Sequence, residues 1–169
     1  MYFTDRGIEE LVERRGEESV TLEWVGEQLR NFVDAHPEFE TPIERFATLA
    51  SALSSMGYAP VVIGGEQERD LAAAITAAAT DAKSLVGQTT FSDLLALGRD
   101  AALAVGNDTG PMHLFAAAGC PLLVLFGADS SPALNAPQGD HVKALQAKPI
   151  ADLTVEQVLN ALPKARALP

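Results

Sequence analysis

Val105-Gly106-Asn107-Asp108-Thr109-Gly110-Pro111-Met112-His113-Leu114 is the stretch on which the fold turns. It leaves an apolar run, Ala101 to Val105, crosses a few residues of turn chemistry and opens a short helix, Pro111 to Ala118. The clearest strand follows at once, the uninterrupted apolar run Leu122 to Phe126. Strand, helix, strand in so few residues is a βαβ unit, whose strands must lie parallel. Strands buried on both faces read as continuous apolar runs rather than as alternation.

The pattern extends upstream and downstream. Pro42 suits the first position of a helix, and Ile43, Phe46, Ala47, Leu49, Ala50 and Leu53 follow at helical spacing, closed by Gly57. Pro60 to Ile63 is a short β-branched run, followed by Gly64-Gly65 and an Ala-rich helix from Glu66 to about Ala79. Ser84 to Val86 predicts another strand. Thr90 with Asp93 predicts a capping box opening a helix through Leu94, Leu95 and Leu97. Residues 127–141 read as loop. Thr154 with Gln157 predicts a second capping box and a final helix to about Leu162. Strands alternating with helices of about ten residues, under the right-handed crossover rule, predict an α/β, Rossmann-like parallel sheet with helices on both faces.

Residues 1–41 differ in texture. The first 50 residues carry 12 acids and 5 bases, net −7, against net −4 for the remaining 119. Two helices are predicted there, from Thr4 or Asp5 to Arg15 and from Thr21 to Val33. The expected organisation is an acidic helical segment over 1–41 and a Rossmann-like domain over 42–169.

Composition narrows the function. The 169 residues are 47% hydrophobic, enough for a packed core, and carry a net charge of −11. That charge disfavours nucleic acid and anionic membrane as partners. One cysteine, Cys120, excludes an internal disulfide, and between two apolar runs it reads as a packing residue. No apolar run approaches the ~17–25 residues that cross a bilayer. The first residues lack a cationic-then-apolar signal, so a cytoplasmic location is expected. His36, His113 and His141 are scattered without metal-ligand spacing, and Ser130-Ser131 lies in a loop with no partner pattern for nucleophilic catalysis.

In an open α/β sheet, ligands bind beyond the carboxyl ends of the strands. Asp108 to His113 sits there. A helix start offers unpaired N–H groups to a phosphate, Gly110 lets it approach the backbone, and Thr109 adds a hydroxyl donor. Asp108 suits sugar hydroxyls or a helix cap, and His113 falls in the first helical turn. The same residues also make good turn and cap chemistry with no ligand. Gly64-Gly65 lacks the full dinucleotide fingerprint, and Glu66 suits either a helix dipole or ribose hydroxyls.

Five blocks in order resemble one known family. These are Pro42 to Ala50, Val61 to Arg69 with Gly64-Gly65-Glu66, Leu85 to Leu94, Asn107 to His113, and Ala116 to Pro121 leading to Leu125-Phe126-Gly127. From about Pro42 to Leu162 the chain resembles the C-terminal half of family 9 glycosyltransferases, the lipopolysaccharide heptosyltransferases. The resemblance implies half of a GT-B fold, binding a nucleotide-sugar donor such as ADP-heptose without a metal or other cofactor. Asp108 would contact the donor sugar, Thr109 and Gly110 the diphosphate, and His113 would support that loop. Gly65 and Glu66 would lie beside the nucleotide, Glu66 near its ribose.

The departures from the family pattern are specific. The family's catalytic base belongs to an N-terminal domain that this sequence does not contain, so no catalytic residue is assigned and little or no turnover is expected from the chain alone. An acceptor-domain partner chain or a homo-oligomer is the expected complement. The family's first C-domain strand belongs just before Pro42, where Phe39-Glu40-Thr41 stands instead. Phe115 replaces a small residue, and Ala128-Asp129 replaces a hydroxyl-bearing loop. Two other readings stay open: a non-catalytic interaction or regulatory module derived from a glycosyltransferase, and a phosphate-binding Rossmann domain of another class.

Overall fold

Leu122–Phe126 lies at the centre of the molecule, with four of its five residues fully buried and Leu125 nearly so. In the computed structural model, which describes residues 41–167, the chain runs α1 (Thr41–Ser55), β1 (Val61–Val62), a 3-10 turn (Glu66–Glu68), α2 (Arg69–Ala78) and β2 (Lys83–Ser84). It continues through α3 (Phe91–Asp100), β3 (Ala104–Asn107), α4 (Gly110–Ala117), β4 (Leu122–Phe126) and α5 (Pro132–Asn135). It ends with β5 (Val142–Gln146), a 3-10 turn (Ile150–Asp152) and α6 (Val155–Ala161). The two helices expected within residues 1–41 lie outside the described residues.

Strand alternation sends β4 side chains to two cores. Leu122, Val124 and Phe126 pack with Leu94, Met112 and Phe115 beneath α3 and α4. Leu123 and Leu125 pack with Leu49, Leu153 and Val158 beneath α1 and α6. Both faces are therefore covered, which is why β4 reads as unbroken hydrophobicity. The architecture is the expected Rossmann-like α/β layer structure.

The strands form two parallel ladders. One pairs β1 with β2, and the other runs β3-β4-β5. No ladder joins β1 to β3 among the described residues. Helix α1 packs on both ladders. Its Ala50 packs with Val62 of β1 and with Ala79 and Ala82, which lie between α2 and β2, while Leu49 packs on the second ladder. Ile63, just after β1, reaches the core beneath α3 and α4.

Both predicted capping boxes form. The Thr90 amide donates to Asp93 Oδ2 at 2.8 Å, and the Thr154 amide donates to Gln157 Oε1 at 2.8 Å. Phe115 is buried, and Gly98 of α3 lies against it: a Cβ on Gly98 would stand 3.2 Å from Phe115 Cα. The predicted run Ala101 to Val105 enters the sheet later than expected, at Ala104, and stays to Asn107, opposite Leu125. Within 127–141 the structure adds α5, and after it the strand β5, which the sequence reading did not foresee. Among the described residues β5 pairs on one side only, and Lys143, Ala144 and Gln146 are exposed. Its two inward residues, Val142 and Leu145, go to opposite cores, so neither a continuous apolar run nor a period of two appears.

Candidate functional site

The turn after β3 is held from both sides. The Asp108 amide donates to Leu125 O at 3.1 Å, carrying the ladder one residue past β3. Thr109 is the extended N-cap of α4, and Pro111 occupies the first turn. The Thr109 hydroxyl makes no capping bond. Gly110, at the first helical position, has no carbonyl four residues back within the helix to receive its N–H. Among the described residues, a Cβ built on Gly110 meets nothing within 4 Å, so they leave the approach to this backbone open.

The Asp108 carboxylate is mostly shielded, its side chain 18% exposed. Its Oδ2 accepts a hydrogen bond from Ser130 Oγ, and Ser130 Oγ accepts one from Asn135 Nδ2 at 3.0 Å. Its Oδ1 lies 3.9 Å from Nε2 of His113, whose ring is half exposed. From β5, Gln146 Nε2 donates to the carbonyls of Gly127 and Ser130, 3.0 Å each, and so ties the loop after β4 to the sheet edge.

Asp108 and His113 line an open cleft of about 560 Å³. Asp108, Thr109, Gly110 and His113 form one wall, and residues 134–138 form the other. Among the described residues no Lys or Arg lines it. An anion here would meet N–H and hydroxyl donors at a helix start, while the carboxylate favours neutral hydroxyl groups.

The structure brings four of the six predicted site residues together. Gly65 and Glu66 are not among the cleft's lining. They follow β1, on the other ladder. Gly65 N–H donates to Glu68 Oε2 at 2.5 Å. Arg69 holds the Glu66 carboxylate through Nε at 2.6 Å and Nη2 at 2.7 Å, and this pairing lowers the Glu66 pKa. The Glu66 carboxylate also lies over Gly87, a residue at φ +70 whose Cβ would meet Glu66 Oε2. The loops after β1 and β2 are thereby packed together, apart from the cleft wall.

Sequence reasoning sets Ser130 aside as a loop residue without a partner and does not single out Asn135 or Gln146. Ser130 is 22 residues from Asp108, and no local spacing links them. The signal available was topological: β3 and β4 are adjacent and parallel, so the loops leaving their carboxyl ends must meet. A hydroxyl, that of Ser130, is present in the loop after Phe126-Gly127 and reaches Asp108.

A second, smaller cavity of about 140 Å³ opens on the α1 and α6 side, lined by Phe46, Leu49, Leu125, Leu153 and Val158, with Arg45 and Asn107 among its polar groups. Among the described residues no three His, Cys, Asp or Glu are grouped to hold a metal, and no helix is long and apolar enough to cross a membrane.

Comparison with known proteins converges on the same region. The family model of glycosyltransferase family 9 (heptosyltransferase) matches residues 40–159. A family of unknown function, DUF6104, matches residues 1–54. Lipopolysaccharide heptosyltransferase 3 of Escherichia coli is 36% identical over 88 residues, 50% of this chain and 26% of that protein. Lipooligosaccharide heptosyltransferase 2 of Haemophilus influenzae is 29% identical over 115 residues, 65% of this chain and 33% of that protein. The chain thus spans between a quarter and a third of these curated relatives. Among solved structures, a family 9 glycosyltransferase of Veillonella parvula and the E. coli ADP-heptose lipopolysaccharide heptosyltransferase II each superpose with a TM-score of 0.66 at 26% identity, covering 71% of this chain and 40% of theirs.

Proposed function

The chain belongs to glycosyltransferase family 9, and from that premise we propose that residues 42–169 are a heptosyltransferase-like domain that binds a nucleotide-sugar donor such as ADP-heptose in the cleft beyond β3. One observation carries this reading: Asp108, Thr109, Gly110 and His113 share a single cleft at a strand's carboxyl end, with open access to the Gly110 backbone. In this reading the diphosphate takes the Gly110 N–H and the Thr109 hydroxyl, and the sugar hydroxyls take the Asp108 carboxylate. Gly65 and Glu66 are assigned to the nucleotide end, and such a role requires Glu66 to exchange part of its pairing with Arg69 for the ribose.

Magnitudes indicate weak binding. Each charge-assisted hydrogen bond contributes ~1.5–3 kcal/mol, and three or four of them are set against ~4–15 kcal/mol of lost ligand freedom. An open cleft also leaves water at the reacting bond, and no side chain in its wall is assigned as the base for an acceptor hydroxyl. Little or no turnover is therefore expected of this chain alone, with a partner chain or second copy completing the acceptor side. Calorimetry with ADP, ADP-heptose and UDP-sugars tests the reading. Binding of the ADP ligands supports it, and no heat at millimolar ligand removes it.

The runner-up is a non-catalytic interaction module. It is favoured by the edges of β1 and β3, which no described strand pairs, since free edges invite another chain. Light scattering discriminates: a strict monomer counts against the module.

A further inference from the structure

Hydrogen-bond polarity at Asp108 is determined by its neighbours. Asn135 Nδ2 can only donate, so Ser130 Oγ accepts from it and sends its single proton to Asp108 Oδ2. Ser130 itself is held by its backbone, because Gln146 of β5 donates to Ser130 O and to Gly127 O. The support runs from a sheet strand, through the loop after β4, into one oxygen of a carboxylate on the loop after β3. That oxygen is committed. The other, Oδ1, faces His113 Nε2 across 3.9 Å, too far for a direct hydrogen bond. A hydroxyl oxygen about 2.8 Å from both atoms fits that gap. It would donate to Oδ1 and accept from His113 in the tautomer that carries its proton on Nε2.

We propose that Ser130 is the positioning residue of this site: by occupying Asp108 Oδ2 it aims Oδ1 at His113, and the two together read one hydroxyl of the sugar in a nucleotide sugar. The inference rests on the donor-binding reading and deepens it. Specificity for the sugar then depends on a residue on a different loop from the signature turn. A hydroxyl read by both a donor and an acceptor is also discriminated from a hydrogen or an ether oxygen at the same place, because the analogue leaves one polar partner unpaired.

Two measurements test it. The first needs no ligand: crystal structures of the wild type, Ser130→Ala and Ser130→Thr. The expected result is that Ser130→Ala frees the Asp108 carboxylate to change orientation while the backbone of residues 127–131 stays in place, and that Ser130→Thr restores the wild-type orientation. An Asp108 carboxylate unmoved in Ser130→Ala overturns the proposal. The second is calorimetry with ADP and ADP-heptose. Ser130→Ala is expected to weaken ADP-heptose about tenfold and ADP less than about twofold, the loss of one charge-assisted contact to the sugar alone. His113→Leu should show the same selective loss, and the double variant little more than either single one. Equal losses for ADP and ADP-heptose would make Ser130 a mere loop support and overturn the proposal. A wild type that binds neither ligand removes the donor-binding reading, and the crystal structures still decide whether Ser130 sets the carboxylate.

Discussion

Gly98 is where two opposing effects of one methyl group can be weighed against each other. It lies in the interior of α3, where glycine costs ~0.5–1 kcal/mol relative to alanine through backbone entropy. On propensity alone, Gly98→Ala stabilises. The structure points the other way. The new Cβ would stand 2.9 Å from Ala118 Cβ, 3.2 Å from Phe115 Cα and 3.2 Å from Phe115 Cδ1. Two of these three neighbours are not free ends of flexible side chains, so α3 and α4 have to separate. Overpacking of this kind costs ~1–3 kcal/mol, and contacts this short belong in the upper half of that range. The balance is a loss of about 1–2.5 kcal/mol, or roughly 2–10 °C in Tm for a chain of this size. Urea and thermal unfolding of wild type, Gly98→Ala and Gly98→Ala/Ala118→Gly measure it. The double variant should regain part of the loss, since it removes the 2.9 Å contact. A Gly98→Ala protein as stable as wild type would refute the reasoning, because it would mean that the helices do not approach as closely as the packing of Phe115 requires.

Four further outcomes are expected. Gly110→Val should leave Tm within about 2 °C, since no described residue lies within 4 Å of the new Cβ, yet reduce ADP binding more than tenfold by blocking the approach to the helix start. Arg166→Ala should cost about 1–2 kcal/mol in urea unfolding, because the guanidinium donates to the Gly98, Arg99 and Gly119 carbonyls and so closes the carboxyl ends of α3 and α4 together. The Asp93 carboxyl is held below its ordinary pKa by its hydrogen bonds to the Thr90 hydroxyl and amide, so its contribution is present above the unfolded pKa and lost as pH falls through the folded one; Asp93→Asn should therefore flatten the acid limb of the stability-pH curve below about pH 4. Cys120 is fully buried and burial pushes its thiol pKa up, so a thiol reagent should leave it unmodified in the native protein and react at the rate of unfolding.

The features legible in the sequence are those whose cause is local. Leu122 to Phe126 reads as an inner strand because both its faces are covered, and each capping box spans only four residues. The turn Asp108 to Pro111 is equally self-contained. β5 was not legible because its burial is set by one neighbour, β4, and its inward residues answer to two different cores. Gly65 and Glu66 were legible as a strand-end turn, but their distance from the cleft wall was not, because it depends on which ladder each strand joins.

Ser130 shows why site assembly is harder to read than site parts. Its own neighbourhood, Ala128 to Pro132, carries only loop chemistry. It acquires a role because Leu125 pairs with Asn107, which sets the ends of β3 and β4 side by side and leaves Asp108 and the loop after Phe126 to converge. A one-residue slip in that register would turn every side chain of β3 to the opposite face and separate the pair. The register is fixed by burial: Leu122, Val124 and Phe126 belong to one core, and Leu123 and Leu125 to the other. The hydrophobic pattern of an inner strand therefore determines which hydroxyl meets which carboxylate. Sequence variation at Leu123 or Val124, neither of which lines the cleft, is expected to change sugar discrimination wherever it shifts the register.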